Sequence, residues 1–267
     1  MDGVLTLSHL QDFQLQLSGC GGTSLLLQLG NLSQLKKISI QGDCSNYKPD
    51  ITNGLARALS RSPQLTHLEV DHEASRYGSY QPVTANDILG KVPPAKPLRM
   101  THLTLHDVHI EPRLDDPILS HLRCLTSLNL SSAGSTVVFE MLAQEKIFLS
   151  HIVVGDIDDR VLHYLESCRN PIKQLEMTRI TSDRHAGCFI DRVLPKVVDS
   201  IQVLKINPIY EGGWCYSCDG QLSSILSQCK ELRKLAIALV SFEPSSGMRE
   251  YKPDFDDEVC LPVSEHV

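Results

Sequence analysis

Apolar and polar residues alternate along this chain in a short element that recurs nine times. The element reads LxxLxL, with other apolar residues standing for leucine in places, and opens at Leu10, Leu35, Leu65, Met100, Leu125, Leu149, Ile172, Ile201 and Leu232. Successive openings lie 23 to 35 residues apart. In Leu65-Thr66-His67-Leu68-Glu69-Val70 the residues Leu68 and Val70 fall on one face, while His67, Glu69 and Asp71 fall on the other, because side chains alternate along a strand. The same alternation runs through His102-Leu103-Thr104-Leu105-His106, Ser127-Leu128-Asn129-Leu130-Ser131 and Gln174-Leu175-Glu176-Met177-Thr178. Each element predicts a short strand. A loop and then a helical spacing follow, as with Leu55 and Leu59 in ITNGLARALS and with Leu222, Ile225 and Leu226 in QLSSILSQC. Asp50 and Thr52 are the predicted N-caps of the first of these helices and Asp219 of the second.

One such unit cannot bury its apolar face alone, whereas stacked neighbours can. The expectation is an α/β solenoid of about nine irregular repeats over residues 1–240, curved, with a parallel sheet on its concave face and helices on its convex face. Residues 241–267 hold no further repeat. They form an acidic tail, either disordered or returning through Phe242, Phe255 or Val259 as a partial cap.

The repeats LTHLEV, LTSLNL, IKQLEM and LRKLAI resemble those of leucine-rich-repeat proteins, and the likeness covers about nine-tenths of the chain. The irregular period, the helix in each repeat and the thiols resemble the intracellular members, above all the substrate-reading repeats of F-box proteins, the divergent fungal ones included. That resemblance implies a non-enzymatic protein-binding scaffold that recognises substrates for a cullin ubiquitin ligase. An adaptor and a cullin are partners only if an F-box lies upstream. The first repeat opens by Leu10, so no F-box fits in front of it. The uncovered first strand favours a segment missing ahead of Met1. The alternative is a ligase-independent scaffold or inhibitor.

Composition narrows the function classes. An apolar content of 42% over 267 residues supports a sizeable core. The net charge is −7, and residues 241–267 carry −5 of it, from seven acids against Arg249 and Lys252. The near-neutral remainder lacks the basic stripe of a nucleic-acid binder. No apolar run is long enough to span a membrane, and no secretory signal opens the chain as written. Nine cysteines without framework spacing fit reduced thiols in the cytoplasm or nucleus.

The polar face of the strands is the expected docking surface, and His67, Glu69, Asp71, His102, Thr104, His106, Asn129 and Glu176 are its candidate contacts; a plain solvated sheet face is the competing reading. His67 and His102 are expected side by side on adjacent strands beside Glu69 and Asp71, which allows a pH-sensitive patch. His102 and His106 stand four strand residues apart, about 13 Å, too far to share a metal ion. Five tyrosines and the only tryptophan lie in loops leaving one edge of the strands. Tyr77, Tyr80, Tyr210, Trp214 and Tyr216 are candidate partner contacts, or else rings that fold back over the core. Trp214-Cys215-Tyr216-Ser217-Cys218 has the spacing of a thiol redox site, with a lowered cysteine pKa expected at a helix N-terminus. The surrounding strand belongs to the repeat, so thiol chemistry is a remote alternative. A zinc site on Cys215, Cys218 and Cys229 would need a fourth ligand. Cys168 and Cys229, at equivalent helix ends, read as small core residues. No nucleotide, protease or hydrolase motif is found, and no metal, cofactor or catalytic residue is expected.

Overall fold

The computed structural model describes residues 9–17, 29, 31–42, 48–72, 83–108, 110, 117–131, 136–216 and 221–239. Tyr47, Tyr77, Tyr80, Cys218, Asp219 and the acidic tail lie outside these residues. The chain divides into two compact units, Met1–Ile147 and Phe148–Val267.

In the first unit five strands run parallel in sequence order: β1 (Asp12–Leu17), β2 (Lys37–Gly42), β3 (His67–His72), β4 (His102–His106) and β5 (Ser127–Leu130). The pairing keeps equivalent repeat positions in line. Phe13, Ile38, Leu68, Leu103 and Leu128 form one row, and Asp12, Lys37, His67, His102 and Ser127 form the row beside it. The second unit repeats the pattern with β6 (His151–Val154), β7 (Gln174–Ile180), β8 (Val203–Pro208) and β9 (Lys234–Ile237), parallel and in sequence order. A slipped register would turn every leucine outward, so the apolar rows hold the alignment.

Helical segments follow the strands. The first unit has α1 (Lys48–Arg61), α2 (Ala85–Ile88), α3 (Ile118–Leu122) and α4 (Val137–Gln144). The second has α5 (Asp159–Ser167), a composite α6 and α7 (Gln221–Leu226). In α6, Ala186–Cys188 leads into a π-helical turn, Phe189–Val193, and then Leu194–Val197. Pro195 has no N–H to give to the preceding turn, which accounts for the wider turn ahead of it. The covered strand face meets the apolar face of the helices. Ile38, Leu68, Leu103 and Leu128 pair with helix residues such as Ile51, Leu55 and Leu59 as core, all at most 2% exposed. Each such side chain contributes about 1.5–3 kcal/mol of burial.

Helix α1 starts earlier than the capping pattern predicts. It opens at Lys48, with Pro49 in the first turn, where a missing N–H costs nothing. Asp50 therefore lies in the first turn, favourable to the helix dipole, and the Thr52 hydroxyl donates back to the Pro49 carbonyl at 3.3 Å. Neither residue is the N-cap. In contrast α2 carries a complete capping box, with Thr84 and Asp87 bonding each other's backbone N–H. Gly42 has φ +114°, and a Cβ there would stand 2.3 Å from the Leu17 carbonyl oxygen of β1, so only glycine fits this strand end.

Candidate functional site

The uncovered face of the first unit is built by a hydroxyl ladder at the strand entrances. Three successive carbonyls ahead of strands β2, β3 and β4 each accept three bonds from the next repeat. Lys36 O takes Thr66 N, His67 N and the Thr66 hydroxyl; Thr66 O takes Thr101 N, His102 N and the Thr101 hydroxyl; Thr101 O takes Thr126 N, Ser127 N and the Thr126 hydroxyl. The threonine hydroxyls reach these carbonyls at 3.1–3.2 Å. A hydroxyl has one proton to give. Thr66 and Thr101 spend theirs on the carbonyl, so each accepts from the histidine that follows it: His67 Nδ1 stands 2.8 Å from Thr66 Oγ1 and His102 Nδ1 stands 2.9 Å from Thr101 Oγ1. At His67 this assigns the neutral tautomer as Nδ1–H.

The two imidazoles stack across β3 and β4, with ring centroids 4.0 Å apart and an interplanar angle of 11°. Their neighbours are the predicted ones. The alignment places Glu69 beside Thr104 and Asp71 beside His106, with Asn129 next to Thr104. All of these side chains are half-buried. Glu69 accepts a long 3.5 Å bond from Gln41 Nε2, Asn129 Oδ1 accepts from Ser131 N at 3.2 Å, and His106 Nδ1 is in contact with Ser131 Oγ. Ser39, between Gln14 and Glu69 in the same row, is only 3% exposed. Its hydroxyl is the one buried side-chain polar atom without a hydrogen-bond partner among the described residues.

On the second unit's strand face Glu176 is engaged from two sides. Gln174 Nε2 donates to it at 2.7 Å and Lys205 Nζ lies 3.0 Å away.

The loop after β8 separates the aromatic candidates. Trp214 is a core residue, 1% exposed. Its indole N–H donates to Ser182 O at 2.9 Å and its ring tilts against Phe189 at a centroid distance of 5.4 Å. The expectation that Trp214 is a contact residue is corrected: the loop folds back and seats the ring in the core. Tyr210 donates to Asp183 Oδ1 at 3.1 Å; burial first, then that bond and the nearby carboxylates, push its phenol up to about 12. Tyr216 donates to Ser223 Oγ at 3.1 Å, and its backbone N–H bonds Ala238 O. Both tyrosines remain half-buried. Tyr77 and Tyr80 fall outside the described residues.

The thiol picture also changes. Cys215 is buried, and burial above all, with Glu211 and Asp183 nearby, raises its pKa against the lowering bond from Gly212. The predicted lowered pKa is therefore corrected: the thiol stays protonated and points to Tyr210 O at 3.8 Å. Cys229 is buried with its thiol toward Ile225 O, and burial pushes Cys168 up to about 11. Among the described residues no group of three or more His, Cys, Asp or Glu is placed to hold a metal ion, and no helix is long and apolar enough to cross a membrane.

Sequence reasoning missed the threonine ladder, although its signal was present: a threonine directly before the strand in LTHL, MTHL and LTSL. It also missed His121, which is fully buried. Its Nδ1 accepts from Leu98 N at 3.2 Å, so Nε2 carries the proton and donates to Val92 O at 3.2 Å, pinning the VPPAKP segment. Comparison with protein-family models and with curated proteins gives no match.

Proposed function

We propose that the chain is a leucine-rich-repeat solenoid and a non-enzymatic protein-binding scaffold, with the uncovered strand face of the first unit as its docking surface. The observation that carries this reading is the aligned array on β3 and β4. Rows of side chains held by backbone and hydroxyl bonds lose little entropy when a partner arrives. The array is rich in acceptors: Glu69 and Asp71 stand on one strand beside His67, with Thr104 and His106 in register on the next. It suits a partner surface rich in N–H donors, such as lysine and arginine side chains. Glu176, Tyr210 and Tyr216 are further contacts under this proposal. Trp214 is not, since it is buried.

The ligase role is the finer proposal and rests on the F-box resemblance of the repeats. It requires that an adaptor and a cullin accompany the protein when an F-box is present upstream. The test is affinity purification of the tagged chain beside a version extended upstream, each with and without the pair Glu69→Lys and Thr104→Arg. The scaffold reading expects a partner that both wild-type forms recover and both variants lose. Recovery of the same partners by the variants would refute the assigned surface. Adaptor and cullin in the extended sample alone support the ligase role, and their absence from both reduces the protein to a scaffold.

A further inference from the structure

We propose that the end of the second unit is a docking edge for the chain's own residues 259–263, which add to β9 as an antiparallel tenth strand. That end is apolar and open. On β8, Leu204 and Ile206 are 0% and 2% exposed. Their register partners on β9, Leu235 and Ile237, are only half-buried, and Leu239, two positions further on, is 56% exposed. Leu226 of α7 and Leu232 ahead of β9 are half-buried as well. The last strand of a stacked array has no following repeat to cover its core side, so a capping segment has to do so.

The backbone of β9 is open at the same edge. Lys234 N–H bonds Gln202 O, and Ala238 O accepts from Tyr216 N, so alternate positions from 234 to 238 turn toward β8. The N–H and C=O groups of Leu235 and Ile237 therefore point to the other edge, where no described strand lies. After Leu239 one segment has the period of a strand: Val259-Cys260-Leu261-Pro262-Val263, apolar at every second position. Pro262 sets its direction. Proline has no N–H to give, so position 262 must face away from β9. With Val259, Leu261 and Val263 turned to the core, a parallel strand would aim Cys260 and Pro262 at β9. An antiparallel strand aims the three apolar residues at β9 and leaves Pro262 on the outer edge. The register that sets Leu261 opposite Ile237 also sets Val259 opposite Leu239 and Val263 opposite Leu235. The new outer edge carries Glu258 and Pro262, a charge and a proline, which discourage further strand pairing. Tethering through residues 240–258 makes the docking intramolecular, which favours this segment over a second copy of the chain. The argument is independent of the docking face on the first unit.

The test is amide hydrogen exchange of the full chain, read at single residues by NMR, in wild type, Leu261→Asp and Cys260→Asp. Ile237 is the reporter, because its N–H lies on the open edge, and Ala236, turned to β8, is the reference. The wild-type Ile237 amide is expected to be protected. Leu261→Asp should speed its exchange at least about tenfold while Ala236 and β7 stay unchanged. Cys260→Asp, on the solvent face of the added strand, should leave both amides as in wild type. Should Leu261→Asp disturb β7 as well, the milder Val263→Ala is read in the same way. An unprotected Ile237 amide in wild type, or equal effects of Leu261→Asp and Cys260→Asp, would overturn the added strand. Nuclear Overhauser contacts from Val259 to Leu239 support the antiparallel direction, and contacts from Val259 to Leu235 would overturn it. Protection that rises with protein concentration would replace the tail with a second copy of the chain.

Discussion

Replacing Trp214 by alanine distinguishes a core ring from a contact ring. The side chain is 1% exposed, donates to Ser182 O at 2.9 Å and packs on Phe189. Removing a buried tryptophan costs about 3–5 kcal/mol, because the transfer energy and the cavity left behind act together. The unmade bond to Ser182 O and the lost ring pair lie within that range. For a unit of this size the loss lowers the melting temperature by about 10–20 °C. The assay is thermal and urea unfolding of Trp214→Ala followed by circular dichroism, beside Trp214→Phe. Phenylalanine keeps most of the apolar volume but cannot reach the carbonyl, and should cost about 1–2 kcal/mol. The wild type supplies an internal check, because its emission comes from one tryptophan. That emission should be blue-shifted in the native state and move to longer wavelength on unfolding. A Trp214→Ala variant within about 1 kcal/mol of wild type, or native emission already at the water-exposed wavelength, would refute the assignment.

The ladder and the buried groups give further tests. Thr66→Val and Thr101→Val each remove a hydroxyl bond at nearly constant shape and should cost about 0.5–1.5 kcal/mol in urea unfolding. Nitrogen chemical shifts of His67 should report Nδ1–H in wild type and a mixture of tautomers in Thr66→Val; an unchanged shift would contradict the tautomer argument. Burial lowers the His121 pKa below its usual value, against the smaller raising effect of the Val92 bond. The unfolded chain then takes up a proton that the native state resists. Stability from this residue is complete above the unfolded pKa and declines as the pH falls through about 6.5, by at most about 1.4 kcal/mol per pH unit. His121→Gln should flatten the decline between pH 7 and pH 5, and an identical slope in the variant would sink the assignment. Cys215, buried with a raised pKa, should react with iodoacetamide at least about tenfold more slowly in native than in unfolded protein, read by mass spectrometry. Rapid native labelling would restore a thiol role.

The strands were legible in the sequence because their code is short and local. A period of two, set by leucines at fixed offsets, identifies both the covered row and the outer row, and the pairing aligns His67 with His102 as the repeat implies. Features decided at long range were not legible. Trp214 sits among glycines and polar residues, and its partners are distant in sequence: the Ser182 carbonyl, 32 positions away, and the Phe189 ring. Ser39 looks like any outward serine, yet its neighbours cover it. Thr52 has the chemistry of a cap, but Pro49 lets the helix begin sooner. The raised Cys215 pKa follows from burial and two nearby carboxylates, which outweigh what a helix-terminus spacing suggests.

Site-specific photocrosslinking tests the proposed docking face most directly. A photoreactive amino acid is placed at Thr104, in the middle of the outer face of the first unit, and in a parallel sample at Glu140, exposed on α4. Both proteins are irradiated in cells and the adducts identified by mass spectrometry. The scaffold account predicts a discrete protein adduct from Thr104, lost when Glu69→Lys is added, and none of that identity from Glu140. The same adduct from Glu140, or none from Thr104, would contradict it.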